Sequence, residues 1–251
     1  MTVTTFREWA FQRDLLLTVI LAGRRQAARI TYVPALLGLT LLVACSGMNA
    51  RSDEQSYEVA EQVKTLVIDA RAAAVTVQAG DGPVKVTETY HYTEDKPRTS
   101  HQVSGTALNL TETGCGNTDV RCAVEFNVRV PAATAVDITS RAGAVSLSNL
   151  TGNVTVVTDA GAVEGKGLGS DNVTVKTDAG ATSLQFAEPP AMVEASTELG
   201  AISVKVPSET AYAVDVSTTA GGSDIGVQQD PSSPYKLSLR TSVGGIRVEN
   251  A

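Results

Sequence analysis

Six glycines, Gly143, Gly161, Gly180, Gly200, Gly221 and Gly244, stand 18, 19, 20, 21 and 23 residues apart, and each closes the same short phrase. Seven residues before each stands an aliphatic: Val136, Val154, Val173, Val193, Val214 and Leu237. Five before stand Ile138, Val156, Val175, Ala195, Val216 and Leu239, and three before stands a hydroxyl in Ser140, Thr158, Thr177, Thr197, Thr218 and Thr241. These offsets differ by two, so in a strand they share one face, while the residues between them, such as Asp137, Thr155, Lys176, Glu194 and Arg240, take the other. After the glycine a second aliphatic alternation follows, as in Val145 with Leu147, Ile202 with Val204 and Ile246 with Val248. Each phrase is therefore strand, corner, strand.

One such unit cannot bury its inner face alone. Stacked copies can, because each coil packs its aliphatics on those above and below, and about 20 residues make one coil. The pattern predicts an all-β chain with a parallel β-solenoid of short coils. Its glycines would turn corners that a Cβ would obstruct, and its hydroxyls would bond along the stack or to corner backbone. A β-sandwich of evenly spaced hairpins is the alternative, but it gives no reason to keep a hydroxyl three residues before the glycine in six places, five of them Thr-x-x-Gly. The richness in Val, Thr, Ala and Gly agrees with strands. In LVIDARAAAVTV, residues Leu66, Ile68, Ala70, Ala73, Val75 and Val77 fit the same template with Ala73 in the glycine's place. VKVTETYHY, TALNLTE and CAVEFNVRVP then alternate as strands of a less regular N-terminal portion expected to cover one open end. At the other end GIRVEN is expected to form an exposed final rung, with Arg247 and Glu249 discouraging edge pairing.

The first 44 residues differ in kind. Arg24, Arg25 and Arg29 precede an apolar stretch from Ile30 to Ala44, and LVAC at 42–45 closes it before a polar run. This resembles a bacterial lipoprotein signal, which implies cleavage before Cys45 and a lipid on that cysteine. The tidy form of such a signal begins near Val19, where the true start is expected. Residues 45–60 read as a polar linker and 61–250 as one domain. Loss of the leader removes five basic residues (Arg7, Arg13, Arg24, Arg25, Arg29) and two acidic ones (Glu8, Asp14), taking the net charge from −7 to −10. A nucleic-acid partner is excluded on that balance, since phosphate binding needs a basic face. The leader also holds Trp9, the one tryptophan, which weakens any reading based on stacked sugars or bases.

Cys115 and Cys122 remain as an even pair, expected to form a disulfide that pins a hairpin loop. A metal site from two cysteines with no neighbouring histidine is the poorer alternative. His91 and His101 flank a polar loop without completing a triad or a ligand set. Ser233 and Lys236 match Ser-x-x-Lys, but in a proline-broken loop and not at a helix start. Two residues before the glycines lie Arg141, Asp159, Asp178 and Glu198. Three stacked carboxylates at about 4.8 Å spacing repel, so either Arg141 and nearby lysines balance them or calcium bridges Asp159, Asp178 and Glu198.

The stretch from VEFNVRVPAATAVDITSRAGAVSLSNLTGNVTVVTDAG to the C-terminus resembles the bacterial putative-adhesin family of unknown function, and the resemblance covers roughly residues 60–250. It rests on the short coils and the Thr-x-x-Gly beat. It implies an envelope protein with a parallel β-solenoid and transfers no catalytic residue. The expected function is therefore that of a non-enzymatic, cofactor-free protein, lipid-anchored on the extracytoplasmic face of the cell membrane. It would contact an envelope protein or wall polymer through its surface. Two alternatives are a signalling or scaffold partner of a membrane protein and a calcium-dependent enzyme acting on polysaccharide.

Overall fold

The computed structural model describes residues 50–115 and 122–251, which consist of strands and connecting loops with no helix among them. The N-terminal third holds β1 (Arg51–Val59), β2 (Thr65–Ala79), β3 (Val84–Tyr92), β4 (Thr99–Ser104), β5 (Ala107–Glu112) and β6 (Ala123–Val130). The repeated phrases then give strand pairs joined at the glycine corners. These are β7 (Ala135–Ala142) with β8 (Val145–Ser148), β9 (Val154–Ala160) with β10 (Val163–Leu168), and β11 (Asn172–Ala179) with β12 (Thr182–Phe186). The remaining pairs are β13 (Met192–Leu199) with β14 (Ile202–Val206), β15 (Ala213–Ala220) with β16 (Ser223–Ile225), and β17 (Lys236–Val243) with β18 (Ile246–Asn250).

Strands before the corners form one sheet, ordered β4-β5-β2-β7-β9-β11-β13-β17-β15. Strands after the corners form the other, ordered β1-β3-β6-β2-β8-β10-β12-β14-β18-β16. Every pairing from β7 onward is parallel, so the repeats are coils of a solenoid and not hairpins. The long β2 is itself the first coil, running from one sheet into the other through Ala70–Ala73. Between the sheets lie the template aliphatics, among them Leu66, Ile68, Val136, Ile138, Val156, Val175, Ala195 and Leu239, all buried. Only stacking makes this possible, because each coil contributes a single layer of side chains.

A single backbone oxygen per coil explains the glycine of the repeat, and in three of the six coils the hydroxyl as well. A Cβ on Gly161 would stand 1.9 Å from the carbonyl oxygen of Gly143, one on Gly180 2.0 Å from that of Gly161, and one on Gly200 2.0 Å from that of Gly180. Carbonyls of the same column accept hydrogen bonds from the next coil's threonine: Thr197 donates to Gly180 at 3.2 Å, Thr241 to Gly200 at 3.0 Å and Thr218 to Gly244 at 3.0 Å. Ala73 serves in the glycine's place because it opens the column. Its own carbonyl lies beneath Gly143, and its neighbour on the other side is Val124 in the ordinary ladder of β6.

Three expectations are corrected. The coil containing GIRVEN does not end the stack: β17 lies between β13 and β15, and β18 between β14 and β16. The chain skips a level to build the outermost coil from β15 and β16, then returns to fill the gap. The glycine column accordingly reads Gly200, Gly244, Gly221, with a Cβ on Gly221 meeting the Gly244 oxygen at 1.9 Å. Side-chain size accounts for the order, since Leu237 and Leu239 take the enclosed position and the smaller Val214 and Val216 stay half-exposed at the end. Residues 51–59, read as linker, form β1 and pair along their whole length with β3. Finally, Cys115 and Cys122 are joined, but they close the passage from β5 in one sheet to β6 in the other instead of a hairpin.

Candidate functional site

The outward positions of the two sheets form rows, because in-register pairing, antiparallel across β1, β3 and β6 and parallel from β6 onward, keeps one face of the sheet on the same side at each rung. Across the sheet that begins with β1, one row reads Ser56, Thr87, Asn127, Thr76, Ser146, Glu164, Ser183, Ser203, Arg247 and Asp224. None of these ten is buried. Seven carry a short hydroxyl or amide. At about 4.8 Å per strand the row spans roughly 43 Å. Ser56 and Thr87 hydrogen-bond to each other at 2.8 Å. The other sheet carries the row Asp137, Thr155, Thr174, Glu194, Ser238 and Asp215, with Arg240 bonding across to Asp215 at 2.6 Å. The repeat pattern marks the second row's residues as polar and outward. It does not reveal the first row, three of whose residues, Ser56, Thr87 and Asn127, come from strands outside the repeat.

The structure scatters most of the residues singled out by sequence. Gly143, Gly161, Gly180, Gly200, Gly221 and Gly244 do line one column. Asp159, Asp178 and Glu198 end β9, β11 and β13 on adjacent coils and are exposed. Among the described residues no three His, Cys, Asp or Glu side chains converge on a point that could hold a metal ion. His91 pairs with Glu125 at 3.0 Å on the outside of β3. His101 stacks on Tyr57 at 4.3 Å between ring centroids, so the two histidines do not meet. The Ser233 hydroxyl donates to the Ala211 carbonyl at 2.7 Å and accepts from the Tyr235 amide at 3.1 Å, which makes it a loop fastener. Cys45 and the leader lie outside the described residues.

Two buried glutamates hold the N-terminal end. Glu88 is 2% exposed and accepts from Tyr57 at 2.7 Å, from Thr99 at 2.6 Å and from the Tyr90 hydroxyl. It thereby ties β1 and β3 of one sheet to β4 of the other. Burial first and the bond to Glu88 second push the Tyr90 phenol up to about 12 and raise Tyr57 as well. Glu112, 3% exposed, accepts the backbone N–H groups of Arg71 at 2.8 Å and Ala72 at 2.9 Å. These donors belong to the first corner, which has no earlier coil to bond, so a carboxylate replaces the missing backbone. The sequence signal was a glutamate on an apolar beat: Val84, Val86, Glu88, Tyr90 in β3 and Leu108, Leu110, Glu112 in β5.

A groove of about 580 Å³ lies beside the C-terminal coils, lined by Met192, Tyr212, Pro231 and Lys236 among others. Tyr212 is fully buried, donates to the Pro207 carbonyl at 3.0 Å and meets Tyr235 edge to face. These aromatics pack the two linkers that let the chain skip a rung and return.

No family's sequence profile matches the chain, and no curated protein does. Solved structures do. Putative adhesins from Parabacteroides distasonis and Bacteroides fragilis each align at 14% identity, over 81% and 80% of this chain and 98% and 97% of theirs, with TM-scores of 0.38 and 0.35. A putative cell adhesion protein from Clostridium sporogenes aligns at 13% identity over 80% of this chain and 100% of its own, with a TM-score of 0.50. What this chain shares with the Clostridium protein is its fold, an adhesin-like all-β architecture.

Proposed function

We propose that the chain is a lipid-anchored protein of the bacterial cell envelope whose solenoid makes extended, non-catalytic contacts with a wall polymer or a neighbouring envelope protein. The row from Ser56 to Asp224 is the observation that supports this reading. A row dominated by short hydroxyls and amides at a fixed repeat offers many weak hydrogen bonds to a long chain-like partner, and these short side chains cost little entropy on binding. The residues singled out for catalysis, Ser233 and the histidines, are engaged in structural contacts, and of the two carboxylates that line the C-terminal groove, Glu194 and Asp215, the latter is paired with Arg240 at 2.6 Å. Anchoring follows from the LVAC segment and Cys45. The adhesin names of the similar structures agree with a surface location.

The test is co-sedimentation of the protein with isolated cell-wall polymer, alongside capture from detergent-solubilised envelope. Ser146→Arg with Ser183→Arg places two long cations in the row without touching the core. Binding should fall at least tenfold while the melting curve stays in place, and Cys45→Ala should release the protein from the membrane fraction. Unchanged binding by the row variant would remove the face from the proposal, and membrane retention of Cys45→Ala would remove the anchor.

A further inference from the structure

The outermost coil carries an unpaired edge. The Ala213 amide donates to the Tyr235 carbonyl at 2.8 Å, so by strand alternation Ala213, Asp215 and Ser217 bond to β17. The N–H and C=O groups of Val214, Val216 and Thr218 therefore face away from the stack, and among the described residues no strand lies beyond them; the edge is capped just ahead of Val214, where Tyr212 donates to the Gln228 carbonyl and accepts from the Asp230 amide, both at 2.9 Å. Beneath that edge Val214, Val216 and Ile225 are only half-buried, although their counterparts in the enclosed coils are buried completely. An open edge above a partly uncovered core is a template for another strand.

We propose that this coil pairs with the same coil of a second copy, β15 against β15 in antiparallel register about a two-fold axis at Val216. The geometry is self-complementary. With Val216 opposite Val216, Val214 faces Thr218 and Asp215 faces Ser217, so no carboxylate opposes its own copy. The three outward residues on each side supply about six backbone hydrogen bonds, and the half-exposed valines of the two copies cover one another. Charge permits it as well. In a chain of net charge −7, the carboxylates of this coil are each held by an arginine of the coil beneath, Asp215 by Arg240 at 2.6 Å and Asp224 by Arg247 at 3.7 Å.

Head-to-tail stacking lacks such a match. At the opposite end the edge strands β1 and β4 are antiparallel additions, and β1 carries Asp53, Glu54 and Glu58. There the interior is already closed by the bonds from Tyr57 and Tyr90 to Glu88 and from Tyr92 to Asp53. An isologous pair, closed after two copies, is what remains.

Sedimentation of the full chain in mild detergent should give the mass of two protein copies. Val216→Pro removes an outward donor that no intrachain bond uses, so it should raise the concentration needed for pairing at least tenfold while leaving the melting curve in place. A second test does not depend on that variant folding. Asp215→Cys combined with Ser217→Cys sets cysteines opposite each other across the axis, at a Cα separation of about 4.5 Å that a disulfide can span. It should give a covalent dimer that neither single variant nor the wild type gives. A single-copy mass for the wild type, a mass that grows beyond two copies, persistent pairing of Val216→Pro, or equal cross-linking by Ser217→Cys alone would each overturn the proposal.

Discussion

The hydroxyl of Thr241 donates to the carbonyl oxygen of Gly200 at 3.0 Å, and that oxygen lies 1.9 Å from where a Cβ on Gly244 would stand. Residues 241 and 244 of one coil thus converge on one atom of the coil below. At this corner the threonine satisfies the oxygen and the glycine makes room for it, so both residues depend on the rung spacing.

Glycine substitution should follow this geometry and not general helix or strand preference. Gly180→Ala forces a methyl to 2.0 Å from the Gly161 oxygen, both of them backbone-anchored, so the coils must separate. A loss above about 3 kcal/mol in urea unfolding is expected. Gly222→Ala, with nothing within 4 Å of its Cβ position, should change stability by less than about 0.5 kcal/mol. Equal effects at the two sites would refute the close-approach account.

The threonines should divide into two classes. Thr241→Val removes the donor to Gly200 and leaves a part-buried carbonyl short of one bond, for an expected loss of about 1 kcal/mol. The Thr158 hydroxyl is buried without a partner, so Thr158→Val should be neutral or stabilising. Paired denaturation curves check the difference.

Hydrogen exchange should report the coil order. Amides of β17 lie inside the stack although they come later in the chain than β15, so the interiors of β17 and β13 should exchange alike. The outward amides of Val214, Val216 and Thr218 should exchange at least tenfold faster under conditions where the chain is a single copy. Protection that declines steadily toward the C-terminus would contradict the inserted coil.

Alkaline titration probes the N-terminal end. Tyrosine in the unfolded chain ionises near 10, whereas folded Tyr90 is pushed up to about 12 and Tyr57 is raised in the same direction. A raised folded-state value means the stabilisation is intact below pH 10 and is lost as pH climbs from 10 towards 12. Far-UV circular dichroism and tyrosinate absorbance should therefore change together in that window. Ionisation of these two phenols near pH 10 with the fold unchanged would show that Glu88 does not hold them.

Much of the fold was legible in sequence because coil stacking imposes a local rule. Val154, Val156, Thr158 and Gly161 each occupy a fixed offset set by the strand period and the corner, and a single phrase carries the full constraint. The same periodicity placed Ala73 as the first corner and separated inward from outward residues along every coil.

The order of the last two coils was not legible, since LSLRTSVG and VDVSTTAG satisfy the same template equally well. Only packing chose between them, enclosing Leu237 and Leu239 and leaving the smaller valines at the end, with about 0.8 kcal/mol for each further methylene buried. Likewise Tyr57 meets Glu88 across 31 residues, and the Arg71 amide meets Glu112 across 41. Sequence by itself determined the coil, its inward face and its glycine column, because those depend on residues a few positions apart. Tertiary structure alone decided which coil neighbours which and how the first end is closed, because those depend on side chains that meet only after the chain has wound.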